Sequence, residues 1–384
     1  MMFRELLQKY IAGNATLQEQ AQVEEEIEKF EALNEYLTDQ FEAAELPEVE
    51  DQQVQKAARR GRQKIFLTAF VGAALAVAVI FGAAWCADRY FYYDPTHGSL
   101  QEAYGADGNF FADICVLTEL TSPGYRAMGA EAEHTGLGAY QLSVMRNDPQ
   151  GEWETLRGTL VRGEVDEGFL ESLWSFPPAN AFGYATGRIV TVTEDGKEIT
   201  TQPAEEQTYY LEGLRALPEA AWGSLYVTFP QPLTLEETAK LQDRYPELNF
   251  QYGAVAGSDQ WGQTLGFQLN GSGTSRPEQL LAQYPAIAPE GTTLSNLERA
   301  AYWQEHYLAL LEYLSGREGF LETFANVNGI SSQTVQKEAE RARKEGVQIL
   351  GICVEGPAKQ LVDFLEQEET ASRFVADIWL SLAR

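Results

Sequence analysis

Histidine and cysteine are scarce in this chain, with three of each among 384 residues. His97, His134 and His306 stand far apart, and none has another histidine or a cysteine at ligand spacing. No metal site is expected, and the three read as exposed or helix-packed side chains. Cys86, Cys115 and Cys353 are equally dispersed. The last two sit in strand-like runs and read either as small core residues or, in an oxidising compartment, as a disulfide pair. The motifs H-E-x-x-H, C-x-x-C, G-x-S-x-G, S-x-x-K and the Walker lysine loop are absent. Carboxylates are too plentiful for any pair to be singled out as acid and base. No cofactor is implied, and an enzyme is not expected. Positive charge is also short: 28 Lys and Arg face 57 Asp and Glu, for a formal charge of −29. That excludes direct nucleic-acid binding as the main role, because phosphate recognition needs a basic face.

Against this background one stretch stands out. Ile65 to Ala87 holds 23 residues without a charge. As a helix it covers roughly 35 Å, enough to cross a hydrocarbon core of about 30 Å with some tilt. It starts too late and runs too long for a signal peptide. A buried core helix is the other reading, although such helices are usually shorter and amphipathic. Lys56, Arg59, Arg60, Arg62 and Lys64 precede it, whereas Asp88 and Arg89 balance each other beyond it. Basic flanks stay cytoplasmic, so the expectation is a single-pass cell-membrane protein with residues 1–64 inside and 88–384 outside the cell.

The inner part reads as a small helical hairpin over residues 1–46, followed by an acidic and then basic linker, 47–64. Phe3, Leu6, Leu7, Tyr10 and Ile11 recur at helical spacing, and Gly13 ends that helix. Thr16 with Glu19 has the spacing of a capping box. The second helix then carries Val23, Ile27, Phe30, Leu37 and Phe41 along one face up to Pro47. Two helices of this length bury little on their own. Either a partner covers the remaining apolar surface, or the hairpin is self-contained or pairs with a second copy as a coiled coil. Residues 1–55 hold 14 acids and 3 bases. The acids form a solvated face or suit a basic protein surface.

Residues 88–98 form an aromatic stalk in which Tyr90, Phe91, Tyr92 and Tyr93 either lie at headgroup level or pack on the outer domain. From 99 to 220 the pattern predicts a β-rich region, with strands at Ile114–Thr121, Gly138–Arg146, Gly158–Val165 and Arg188–Thr193, the last followed by a hairpin turn at Asp195-Gly196. From 221 to 384 strands alternate with helices. Ser224–Phe229 is a strand, Thr234 with Glu237 caps a helix, and Leu248–Val255 is a strand. Helices follow at Leu294–Leu314 and Gln333–Lys344. Val347–Val354 is then a strand, Gly356-Pro357 turns into a helix over Ala358–Leu365, and Phe374–Leu382 is a strand. The fold class is therefore α+β, with two β-α-β units that a ferredoxin-like topology with an insertion would accommodate.

The run Gly351-Ile352-Cys353-Val354-Glu355-Gly356-Pro357-Ala358-Lys359-Gln360-Leu361 resembles the strand, Gly-Pro turn and helix near the end of the sigma factor regulator C-terminal domain. Leu225-Tyr226-Val227-Thr228-Phe229, followed by Pro232-Leu233-Thr234-Leu235-Glu236-Glu237, is similar to that domain's other strand and helix. Phe3-Arg4-Glu5-Leu6-Leu7-Gln8-Lys9-Tyr10, with the acidic helix after it, resembles the short N-terminal domain of the same membrane-bound anti-sigma factors of Gram-positive bacteria. The resemblance implies a cytoplasmic segment that sequesters an extracytoplasmic-function sigma factor and an outer domain that releases it on an envelope signal. Phe3, Leu6, Leu7, Tyr10, Ile11, Val23, Ile27 and Phe30 would be divided between hairpin core and partner face. The zinc-binding type of anti-sigma factor needs histidine and cysteine in the inner part, and none precedes Cys86, so a zinc-free type is implied.

Signal transfer through one helix would run by proteolysis or by altered association of spans, with self-association or a second membrane protein as partner. The alternative from a different class is a membrane-anchored wall-binding module or ectoenzyme. Its mark would be exposed, coplanar tryptophans among Trp153, Trp174, Trp222, Trp261, Trp303 and Trp379, or a deep cleft of convergent carboxylates.

Overall fold

The computed structural model describes residues 67–82, 92–97, 108–136, 138–148, 151–174, 182, 189–192, 198–201, 211–258, 264–270, 278–288 and 294–380, together with Thr16, Val23, Glu28, Lys29 and Ala32. The chain divides into two compact units, residues 1–78 and 79–384.

In the first unit Val23, Glu28, Lys29 and Ala32 are helical, with Val23 fully buried and the other three exposed. At about 100° per residue those three lie roughly 120° or more around the helix from Val23, which is the one-sided burial that the apolar spacing predicts. Phe3, Leu6, Leu7, Tyr10, Ile11, Ile27 and Phe30 lie outside the described residues, as do Lys56, Arg59, Arg60, Arg62 and Lys64.

Residues 67–82 form a helix that is exposed along its whole length. Phe70 is 74 % exposed and Ile80 64 %. At 1.5 Å per residue the helix covers about 24 Å, short of the roughly 20 residues that a hydrocarbon core requires. Among the described residues no helix is long and apolar enough to cross a membrane. The expected span of 65–87 is thus described only in its middle, its ends lying outside the described residues.

In the second unit α1 (Gly108–Thr121) is a helix buried around nearly its whole circumference. Here the structure departs from the strand expected over Ile114–Thr121. Ile, Cys and Val in a short apolar run fit a buried strand or a buried helix equally, and length decides; the apolar stretch begins at Phe110, long enough for a helix. An antiparallel meander follows, β1 (Arg126–Gly136), β2 (Ala139–Asn147), β3 (Trp153–Val161) and β4 (Glu164–Val165). Buried and exposed residues alternate along β2 and β3, as expected where one face meets the core. The single strand expected over Gly158–Val165 is broken by a two-residue turn, Arg162 at φ 53 and Gly163 at φ 83, a left-handed pair that suits a tight hairpin. Beyond α2 (Glu167–Leu173), β5 (Ile189–Val192) and β6 (Glu198–Thr201) pair as the hairpin expected around Asp195-Gly196.

A second, five-stranded antiparallel sheet is built from β7 (Ala221–Thr234), β8 (Asn249–Val255), β9 (Gly266–Gln268), β10 (Gln348–Pro357) and β11 (Ser372–Leu380), in the order β11-β7-β10-β8-β9. Helix α3 (Leu235–Arg244) links β7 to β8, and α8 (Ala358–Gln367) links β10 to β11. Each β-α-β unit therefore leaves a gap that a strand of the other fills, which is the split βαβ arrangement. Between β8 and β10 the chain inserts β9, α4 (Glu278–Gln283), α5 (Asn296–Ser315), α6 (Glu318–Phe324) and α7 (Ser332–Glu345).

Core residues lie on both faces of this sheet. Leu225, Val227, Phe250, Ile352 and Val354 join the large core that also holds α5 and α8 residues. Tyr226, Tyr252 and Cys353 pack with Phe182. Two phenols fasten the helix–sheet junction: Tyr226 Oη donates to the Pro123 carbonyl at 3.0 Å, and Tyr252 Oη to the Leu120 carbonyl at 2.8 Å.

Candidate functional site

The described part of the stalk, 92–97, ends in a local turn. The Thr96 amide and hydroxyl both donate to Asp94 Oδ1, at 2.9 and 2.7 Å, and Asn109 Nδ2 on α1 reaches the His97 carbonyl at 3.3 Å. Just before this turn Tyr93 places its ring edge-on to Phe320 and Phe324, with centroids 5.6 and 5.8 Å away. Of the two readings of the aromatic stalk, packing on the domain therefore holds for Tyr93, while Tyr92 is 41 % exposed.

The Tyr93 hydroxyl donates to Asp113 Oδ2 at 2.9 Å. Asp113 is fully buried in α1, and three further bonds converge on it. Tyr313 Oη donates to Oδ1 at 2.7 Å, Arg317 Nε to Oδ1 at 2.7 Å, and Arg317 Nη2 to Oδ2 at 2.8 Å. Each carboxylate oxygen thus accepts two bonds, one from a phenol and one from a forked guanidinium, the strong bidentate geometry for such a pair. Burial pushes the Asp113 carboxyl up, while the hydrogen bonds and charge of Arg317 and the two phenols act against it. Burial, and next the Asp113 charge, raise Tyr93 and Tyr313 well above the ordinary phenol value, which keeps both as donors. For Arg317 burial works downward, but the bonds and charge of Asp113 outweigh it and the net direction is up. Donors and acceptors here are committed to one another. That suits holding the stalk against the domain rather than proton transfer to a substrate.

Beside this cluster lies a cavity of about 630 Å³ lined by Tyr92, Tyr93, Asp94, His97, Arg162 and Arg317 among others. Its mixed charges gather no ligand set. Among the described residues no group of three His, Cys, Asp or Glu side chains could hold a metal ion.

Composition left the remaining polar residues of interest dispersed, and the fold brings several together. His306 is fully buried; its Nδ1 lies 2.6 Å from the Ala286 carbonyl and its Nε2 2.7 Å from Glu119 Oε1. Both ring nitrogens therefore face oxygen atoms in the interior. Cys115 and Cys353 are buried thiols outside any disulfide, which decides between the two readings in favour of core residues. Burial pushes the Cys353 thiol up to about 12, so it stays protonated. The tryptophans do not form a shared exposed platform among the described residues. Trp153 is 64 % exposed on β3, Trp303 is buried, and Trp174 Nε1 donates to the Phe324 carbonyl at 2.9 Å.

Sequence reasoning missed the Asp113 cluster. Its one available signal was a lone acid inside the apolar run Phe110–Leu117. A charge so placed must find a partner or remain neutral.

Residues 214–376 match the family described as Sigma factor regulator C-terminal. The match supports a role in sigma factor regulation and, with it, a sigma factor as partner. It leaves residues 1–213 uncovered. No curated protein and no solved structure matches the chain.

Proposed function

We propose, from the match of residues 214–376 to the sigma factor regulator C-terminal family, a single-pass, zinc-free membrane anti-sigma factor of the extracytoplasmic-function type. Residues 1–46 sequester the sigma factor inside the cell, the segment 65–87 crosses the bilayer, and residues 88–384 lie outside and respond to the state of the envelope. The family match carries the regulatory part of this reading. The membrane part is supported by the apolar helix 67–82, whose side chains are exposed, and by the basic cluster Lys56, Arg59, Arg60, Arg62 and Lys64 before it.

Tyr93 gives the outer domain a grip on the chain eleven residues past the last described residue of that helix, Gly82. A signal that reorganises α1 or α6 loosens the bonds to Asp113 and changes the tension or accessibility of the stalk.

The test is co-purification of the full chain with the sigma factor encoded beside its gene, together with reporters fused to each terminus. Binding that Leu7→Asp and Ile27→Asp abolish, with an amino-terminal reporter active only inside the cell, is expected. Failure to bind that sigma factor, or an amino-terminal reporter active outside, overturns the reading.

A further inference from the structure

A second concave surface, about 500 Å³, lies where β7 begins and α3 runs into β8. Trp222, Pro246 and Leu248 supply its apolar wall, and three amides, Gln242, Asn249 and Asn270, supply its polar one. The amides are held in place. Arg299, 6 % exposed, donates through Nη1 to Gln242 Oε1 at 2.6 Å and through Nη2 to Asp243 Oδ1 at 2.9 Å. Arg126 Nη2 donates to Asn270 Oδ1 at 2.7 Å, Asn270 Nδ2 to Asn249 Oδ1 at 2.7 Å, and Asn249 Nδ2 to Glu355 Oε2 at 3.3 Å. Side chains fixed in this way recognise a ligand without the entropic cost of ordering them.

The charges exclude most ligand classes. Asp243 and Glu247 line the groove, and Arg299 is already paired with Asp243, so an anion is repelled rather than captured. A metal cation lacks a ligand set among the described residues. An apolar ligand would leave unmet the second N–H and second lone pair that each amide keeps beyond its bonds within the protein. What remains is a neutral molecule with one flat apolar face and many hydroxyl or amide groups. An indole beside planar amides matches the two sides of a sugar ring, its C–H face and its hydroxyl edge.

We propose that this groove binds a neutral saccharide bearing amide groups, with Trp222 against the ring face and Gln242 and Asn249 on its polar substituents. Binding here is independent of whether residues 1–46 hold a sigma factor.

The probe is the soluble trimer of N-acetylglucosamine, titrated into the full chain in lipid nanodiscs and followed by calorimetry and by tryptophan fluorescence. Saturable binding with a dissociation constant on the order of 0.1–1 mM is expected. Trp222→Ala and Asn249→Ala should each weaken it about tenfold or more, the loss of one well-placed contact. Trp153→Ala, on the exposed face of β3, should leave it unchanged, and circular dichroism at the assay temperature should show Asn249→Ala folded. The proposal is overturned if the trimer does not saturate the protein up to about 10 mM, an affinity too weak for a built site. Binding that both Trp222→Ala and Asn249→Ala leave intact overturns it equally.

Discussion

Asp113 is the sole charged residue from Phe110 to Thr118, and Arg317 lies 204 residues further along the chain. The acid in an apolar run is visible in the sequence, whereas the identity of its cation is set by tertiary packing. Removing the carboxylate leaves a guanidinium and two phenols unsatisfied in a buried place. Asp113→Ala should therefore destabilise the second unit by about 3–5 kcal/mol, the usual cost of breaking a buried pair. Tyr93→Phe removes one hydrogen bond to a charged group and should cost about 1.5–3 kcal/mol. Urea unfolding followed by tryptophan fluorescence measures both. A smaller loss for Asp113→Ala than for Tyr93→Phe would contradict the arrangement.

Helix starts were legible because they rest on local chemistry. Thr234 and Glu237 form the expected capping box, each satisfying the other's free amide at the start of α3, and Ser295 with Glu298 does the same for α5. Bonds from the Thr234 backbone and hydroxyl hold the Glu237 carboxyl below its ordinary value of 4.5. Since the folded value is depressed, this contribution is present above the ordinary value and fades as pH falls through the folded one. Thr234→Ala should cost about 1 kcal/mol at pH 7. Glu237→Gln should cost less than about 0.5 kcal/mol there, because the group is exposed, and less again at low pH. Denaturant midpoints across pH check the pair. An equal loss at both pH values would show that the charge has no part in the cap.

The strand elements were legible where turns bound a short run, which alternates in β2 and is buried nearly continuously in β7, β8 and β10. They were not legible where an apolar run is buried on all sides, as in α1. Gly351 illustrates a constraint that spacing does not reveal. It follows a register shift in β10, and a Cβ there would lie 2.4 Å from the Val227 carbonyl oxygen of β7 and 2.7 Å from the Phe182 ring. Gly351→Ala has to separate the two central strands, and a loss of about 1–3 kcal/mol is expected from such overpacking. A thermal midpoint equal to that of the unaltered protein would show that the strands can part freely.

Across the whole molecule the match of residues 214–376 points toward sigma factor regulation. The acidic balance is distributed with purpose in the proposed reading: residues 1–55 carry a net −11, and the nine residues that follow, 56–64, carry +5. The negative segment would compete for a basic partner surface, and the positive one would hold the chain at the anionic inner leaflet. The apolar stripe of residues 1–46 is described only at Val23, which is buried. A stripe does not record whether its cover is the neighbouring helix or another protein.

The central claim is that this chain restrains a sigma factor across a membrane. Expression from a promoter that depends on the sigma factor encoded beside its gene tests this most directly, measured with the chain present, absent and carrying Leu7→Asp. The account predicts low expression with the unaltered chain and a rise on deletion that Leu7→Asp reproduces. Expression that stays the same in all three cells would contradict it.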